Sequence, residues 1–124
     1  MVQAQTEIKP SFYQGTFFGV PIGLTCLSVG ELAPCGMAAI NLNFSIADVF
    51  TRERFSGNQV AVIHDAQALN SVQMQNVAQE FGFSETTFIL PPSDDRYHAC
   101  VRIFTPHEEV PFAGHPNIGT VFVM

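Results

Sequence analysis

Two places in this 124-residue chain combine residue types that can move a proton or seat an anion. Glu85 lies between Phe81-Gly82-Phe83 and Thr86-Thr87-Phe88-Ile89-Leu90, in mostly apolar company. Burial there would disfavour the carboxylate and raise its pKa, which suits a group that takes up a proton near neutrality and returns it. Taken alone, a solvated carboxylate at the start of a strand is the simpler account. The second place is Gly114-His115-Pro116. A helix opening there would point free backbone N–H groups outward, a natural seat for a substrate carboxylate. Gly114 would let a ligand come close to the backbone, and His115 would hydrogen-bond it or carry a proton. Standing alone, this too is an ordinary helix start.

The elements that must position these residues are legible from about residue 43 onward. Phe44-Ser45-Ile46-Ala47-Asp48-Val49-Phe50 alternates as a half-buried strand does. Phe55-Ser56-Gly57-Asn58 signals a turn, and Val60-Ala61-Val62-Ile63 a second strand. Asn70 or Ser71 caps a helix, with Gln73 placed to complete a capping box from Asn70. Along it Met74, Val77, Ala78 and Phe81 form one apolar face, and Gly82 ends it. Strands are expected at Glu85–Leu90, stopped by Pro91-Pro92, and at about Tyr97–Phe104, stopped by Thr105-Pro106. A last helix is expected with His115 as its cap and Pro116 at its first position. It runs about two turns before the apolar run Val121-Phe122-Val123-Met124, and a chain stopping there reads as having lost its continuation.

Residues 1–40 have a different character. Phe, Gly, Pro and Leu follow one another without periodicity through Phe17-Phe18-Gly19-Val20-Pro21-Ile22-Gly23-Leu24. The apolar stretch is too short and interrupted for a membrane span, and no small-x-small cleavage site follows it as a signal peptide would require. The segment is expected to be an extension that the fold does not need, with residues 41–124 forming the domain.

Composition narrows the partners. Hydrophobic residues make up 47% and charged residues 13%, so the chain builds a core. A net charge of −6, with Lys9 the sole lysine, argues against nucleic acid and anionic membrane as partners. Cys26, Cys35 and Cys100 form no CxxC pair, and an odd count favours a reducing, cytoplasmic setting. His64, His98, His107 and His115 include no HxxxH or HExxH, so no metal site is expected.

Taken in order, Phe44-Ser-Ile-Ala-Asp-Val-Phe50, Phe55-Ser-Gly-Asn58, Ser84-Glu-Thr-Thr-Phe88, Arg102-Ile-Phe-Thr-Pro106 and Pro111-Phe-Ala-Gly-His-Pro116 resemble the amino-terminal half of the PhzF family. Gln59 stands where many relatives carry proline. The resemblance implies an α+β, diaminopimelate-epimerase-like fold: a curled sheet around a central helix, as the first of two similar halves. It implies isomerase chemistry on a small carboxylated metabolite, with no metal, flavin or nucleotide cofactor. By the same resemblance Glu85 is the acid/base residue, and Ser84, Gly114 and His115 bind substrate. Related racemases on this fold use two thiols; Gly114 stands where the first would be, and no cysteine falls in a matching motif, which argues against that chemistry. Family members add an aspartate from a second half that this sequence lacks. The alternative expectation is therefore a non-catalytic fragment that associates with itself, as a homodimer, or with a full-length relative.

Overall fold

A computed structural model describes residues 12–18, 40–53 and 55–124. Six strands form one open sheet in the order β1 (Phe12–Phe18), β2 (Asn41–Val49), β3 (Asn58–Ile63), β4 (Glu85–Leu90), β5 (Cys100–Phe104) and β6 (Glu109–Val110). Every neighbouring pair is antiparallel except β3 and β4. A parallel pair needs a crossover, and here helix α1 (Ser71–Phe81) supplies it. A second helix, α2 (Gly114–Val123), follows β6.

The period-2 alternation of the strands divides the core between two faces. On one face Leu42, Ile63, Phe88 and Phe104 meet Met74, Val77 and Ala78 of α1. Phe88 and Phe104 stack edge to face at 5.3 Å, and Phe44 meets Phe81 the same way at 5.1 Å. On the other face Ala47, Val49, Val60 and Val62 pack with Ile89 and with Val123 of α2. This second packing is close: a Cβ on Gly119 would stand 2.5 Å from Val60 Cγ1, so glycine is what lets α2 lie on β2 and β3. Thr120 Oγ1 donates to the Pro116 carbonyl at 2.8 Å, Thr87 Oγ1 reaches the Ala61 carbonyl at 3.4 Å, and the two hydroxyls lie 2.8 Å apart, tying α2 to β4.

Helix α1 forms as its sequence predicts. Asn70 Oδ1 accepts from the Gln73 backbone N–H while Gln73 Oε1 accepts from that of Asn70, and Gly82 closes the helix at φ 66°. Four expectations need correction. The strand expected from Tyr97 begins at Cys100, because Asp94 accepts from the Arg96 backbone and guanidinium and the Tyr97 N–H bonds the Asp94 carbonyl, making a turn. The segment before residue 40, expected to be an extension without periodicity that the fold does not need, contributes β1, which pairs with β2 along its whole length. The cap of α2 is Ala113 rather than His115, which places Pro116 at the third helical position. Finally, the sheet does not enclose α2 among the described residues: Ile118 and Val121 remain 52% and 74% exposed on its outer side.

Candidate active site

The two places singled out from residue types come together at one end of the sheet. Glu85 opens β4 opposite Val60 of β3, with its side chain on the face that carries α2. His115 sits in the first turn of α2. Glu85 Oε2 and His115 Nε2 lie 3.4 Å apart, with the side chains 19% and 9% exposed. That separation allows the two to attract as an ion pair when the imidazole is protonated, but the alignment does not make a hydrogen bond. Each atom is buried and has no hydrogen-bond partner. Buried polar atoms are nearly always satisfied, so two unsatisfied ones facing each other are an exception that needs a reason.

The start of α2 adds unsatisfied donors. Ala113 offers no side-chain cap, and Pro116 has no N–H of its own. The backbone N–H groups of Ala113, Gly114 and His115 therefore have no partner within the helix. Around Gly114 a Cβ would meet nothing within 4 Å, so here the missing side chain leaves open space rather than room for a neighbour. A small anion can approach those donors with the helix dipole in its favour.

Ser84 is also at this end but looks elsewhere. It is exposed, and its hydroxyl donates to Asn58 Oδ1 at 3.2 Å across the start of β3. Phe55, Asn58, Phe83 and Ser84 line a groove that stops one residue short of Glu85. Asn58 and the buried Asp48 escaped attention as single residues. A charged residue between Ala47 and Val49 in an alternating strand was the available signal for Asp48. The Arg102 motif, by contrast, serves the fold. Its guanidinium grips Glu109 with two hydrogen bonds of 2.7 and 2.6 Å, reaches Ser71 Oγ at 3.1 Å, and lies 5.1 Å from the Phe104 ring centre. Among the described residues no three His, Cys, Asp or Glu side chains gather as metal ligands.

Residues 47–124 match the family described as phenazine biosynthesis-like protein, PhzC-PhzF. The chain belongs to that family. It is 46% identical over 82 residues to a trans-2,3-dihydro-3-hydroxyanthranilate isomerase of Pseudomonas fluorescens, covering 66% of this chain and 29% of that protein. An uncharacterized isomerase of Mesorhizobium japonicum is also 46% identical over 82 residues, with 27% of its length covered. Among solved structures, a PhzF-family protein of Enterococcus faecalis superposes with a TM-score of 0.59 at 35% identity, over 66% of this chain and 30% of that one. A predicted epimerase of Pseudomonas aeruginosa gives 0.57 at 42% identity, over 63% and 27%. The chain thus spans under a third of the length of these relatives.

Proposed function

We propose that this chain carries the acid/base wall of a PhzF-like isomerase, which moves a proton between two carbons of a small carboxylated metabolite. The observation that supports this best is the buried, unsatisfied facing pair of Glu85 and His115 at an uncapped helix start. The substrate carboxylate would take the free N–H groups at Gly114 and His115. Glu85 would accept the proton as a C–H bond breaks, with that bond's electrons passing into the conjugated system. It would then return a proton to a different carbon, after exchange with solvent, so no electrons enter or leave and no cofactor is required. His115 would donate a hydrogen bond to the substrate beside Glu85, and Ser84 would hold the near rim through Asn58. Residues 41–124 are the domain that carries this wall, in a cytoplasmic setting that suits the free, exposed thiol of Cys100.

The test is proton exchange from deuterated water into trans-2,3-dihydro-3-hydroxyanthranilate, followed by NMR. It is run on the chain itself and on the chain completed with the remaining length of a curated relative. Glu85→Gln keeps shape and some hydrogen bonding but cannot cycle a proton; exchange should fall by at least about 100-fold while binding persists. An exchange rate within a few-fold of the unsubstituted protein would remove Glu85 from the mechanism.

A second reading is favoured by the outer side of α2, where Ile118, Val121 and Met124 are exposed. Exposed apolar residues on one helix face support self-association or pairing with a full-length relative. Sedimentation with a hydrophobic-dye assay decides this reading, and a dye-silent monomer with a cooperative melt would end it.

A further inference from the structure

Asp48 is a carboxylate in an apolar strand, only 1% exposed. Its Oδ2 accepts the Phe55 backbone N–H at 3.1 Å, while Oδ1 is buried without a partner. Burying a carboxylate is costly unless it is paired or hydrogen-bonded, and the Phe55 N–H is the partner shown here. That partner is an unusual residue. Phe55 has φ 64°, in the left-handed region that bulky side chains avoid, and its side chain is 77% exposed. Such outliers cluster where a site needs a group held in one place.

The turn around Phe55 has little freedom to relax. Gly57, at φ 80°, lies so close to β2 that a Cβ would stand 2.4 Å from the Val49 carbonyl oxygen. Thr51 Oγ1 and Ser56 Oγ are hydrogen-bonded at 2.6 Å. Held this way, Phe55 forms one wall of the groove that Asn58, Phe83 and Ser84 also line, and Ser84 directly precedes Glu85 in the chain. Among the described residues, none that lines that groove is charged. An aromatic wall with amide and hydroxyl neighbours suits the flat, uncharged part of a ligand whose carboxylate is bound elsewhere.

We propose that Asp48 is a positioning residue for ligand binding: it holds Phe55 as the groove wall against which the planar, unsaturated part of the substrate lies. This rests on the reading of Glu85 as the proton-moving group, since it places the ligand in the groove next to that residue.

The experiment pairs amide hydrogen exchange at Phe55 with the dissociation constant for trans-2,3-dihydro-3-hydroxyanthranilate. Asp48→Ala should speed exchange of the Phe55 amide while the β3 amides stay protected, and should weaken binding about 10-fold. Asp48→Asn should restore most of both, because the amide oxygen still accepts the Phe55 N–H. Phe55→Gly adopts the same backbone angle without strain. It should keep the melting temperature, weaken binding about as much, and leave nothing further for Asp48→Ala to remove. Lost protection with unchanged binding would make Asp48 a staple of the turn only, and the proposal would fall. It would fall equally if Phe55→Gly bound normally, or if the unsubstituted chain did not bind the compound. Should Asp48→Ala not fold, the Phe55→Gly arm decides alone. Failure of the Glu85 reading looks different: Glu85→Gln would keep proton exchange while these binding effects stood.

Discussion

The two faces of the sheet are built on different terms. Against α1, large side chains interlock: Phe88 is fully buried, Met74 and Ile63 are 1% exposed, and the helix has both ends satisfied. Against α2, the contact is made by small residues, Ala47, Val60, Gly119 and a pair of threonine hydroxyls, and the helix starts with donors unsatisfied. Among the described residues four buried side-chain atoms lack a hydrogen-bond partner, two on each face by strand alternation. It is the pair on this side, on Glu85 and His115, that face one another. The first face is closed and supplies stability. The second is left incomplete at one end, and that incompleteness is what chemistry there would use.

Substitutions can test how sharp this division is. Phe88→Ala should have the largest effect, a loss of about 3–5 kcal/mol, read as a fall in denaturant midpoint. A loss no greater than that of a surface residue would mean the α1 face is not the main source of stability. Gly119→Ala should cost about 1–3 kcal/mol, because the new methyl collides with Val60 and the helix must lift. Five residues earlier in the same helix, Gly114→Ala should do the reverse. With no neighbour to meet, it should gain up to about 0.5 kcal/mol in stability from helix propensity, yet weaken carboxylate binding, measured by calorimetry. If the two alanines behaved alike, the site end and the packed stretch of α2 would not be distinct.

The smallest effect belongs to Glu109. The hydrogen-bonded Arg102 guanidinium holds its carboxyl below the usual carboxylate range, partly opposed by desolvation. A lowered folded-state pKa contributes stability above the unfolded value, near 4.3, which is lost as the pH falls through the folded value. Because Glu109 is 43% exposed, solvent screening limits this to about 0.5 kcal/mol. Glu109→Gln should remove that part of the acid limb in melts below about pH 4.3. A loss several times larger would show that the α1 face leans on charge as well as on packing.

How much of this could be read in the residues follows the same division. Helix α1 was legible from its ends, since Asn70, Gln73 and Gly82 act within a few residues of one another. The strand alternation gave β2, β3 and β4 to within a few residues for the same reason. What was not legible depended on partners far along the chain. β1 is a strand because β2 offers it an edge, and no periodicity of its own announced it. The cap of α2 shifted two residues because Gly114 and His115 are helical in the folded chain, which an inspection of Pro116 alone does not reveal. Glu85 and His115 were picked out by type and motif; their 3.4 Å approach exists only because a parallel ladder sets Glu85 opposite Val60, on the face that α2 covers. Phe55 was placed in a turn by the residues after it, but its left-handed conformation is visible only in the backbone.

The shortness of β6 has a further consequence, for behaviour in crowded solution. An uncovered strand edge is an invitation to pair with another molecule, and long flat edges lead to fibres. Here β5 is covered at Ile103 and Phe104 by just Val110 and Glu109, with Pro111 immediately after. Proline cannot donate to a ladder, and a charged residue beside it repels a second copy of the same edge. An incoming strand would find two residues of template on β6 and then a block. The part of β5 that β6 leaves uncovered carries the charged Arg102, so this margin of the sheet is poorly suited to seeding aggregation.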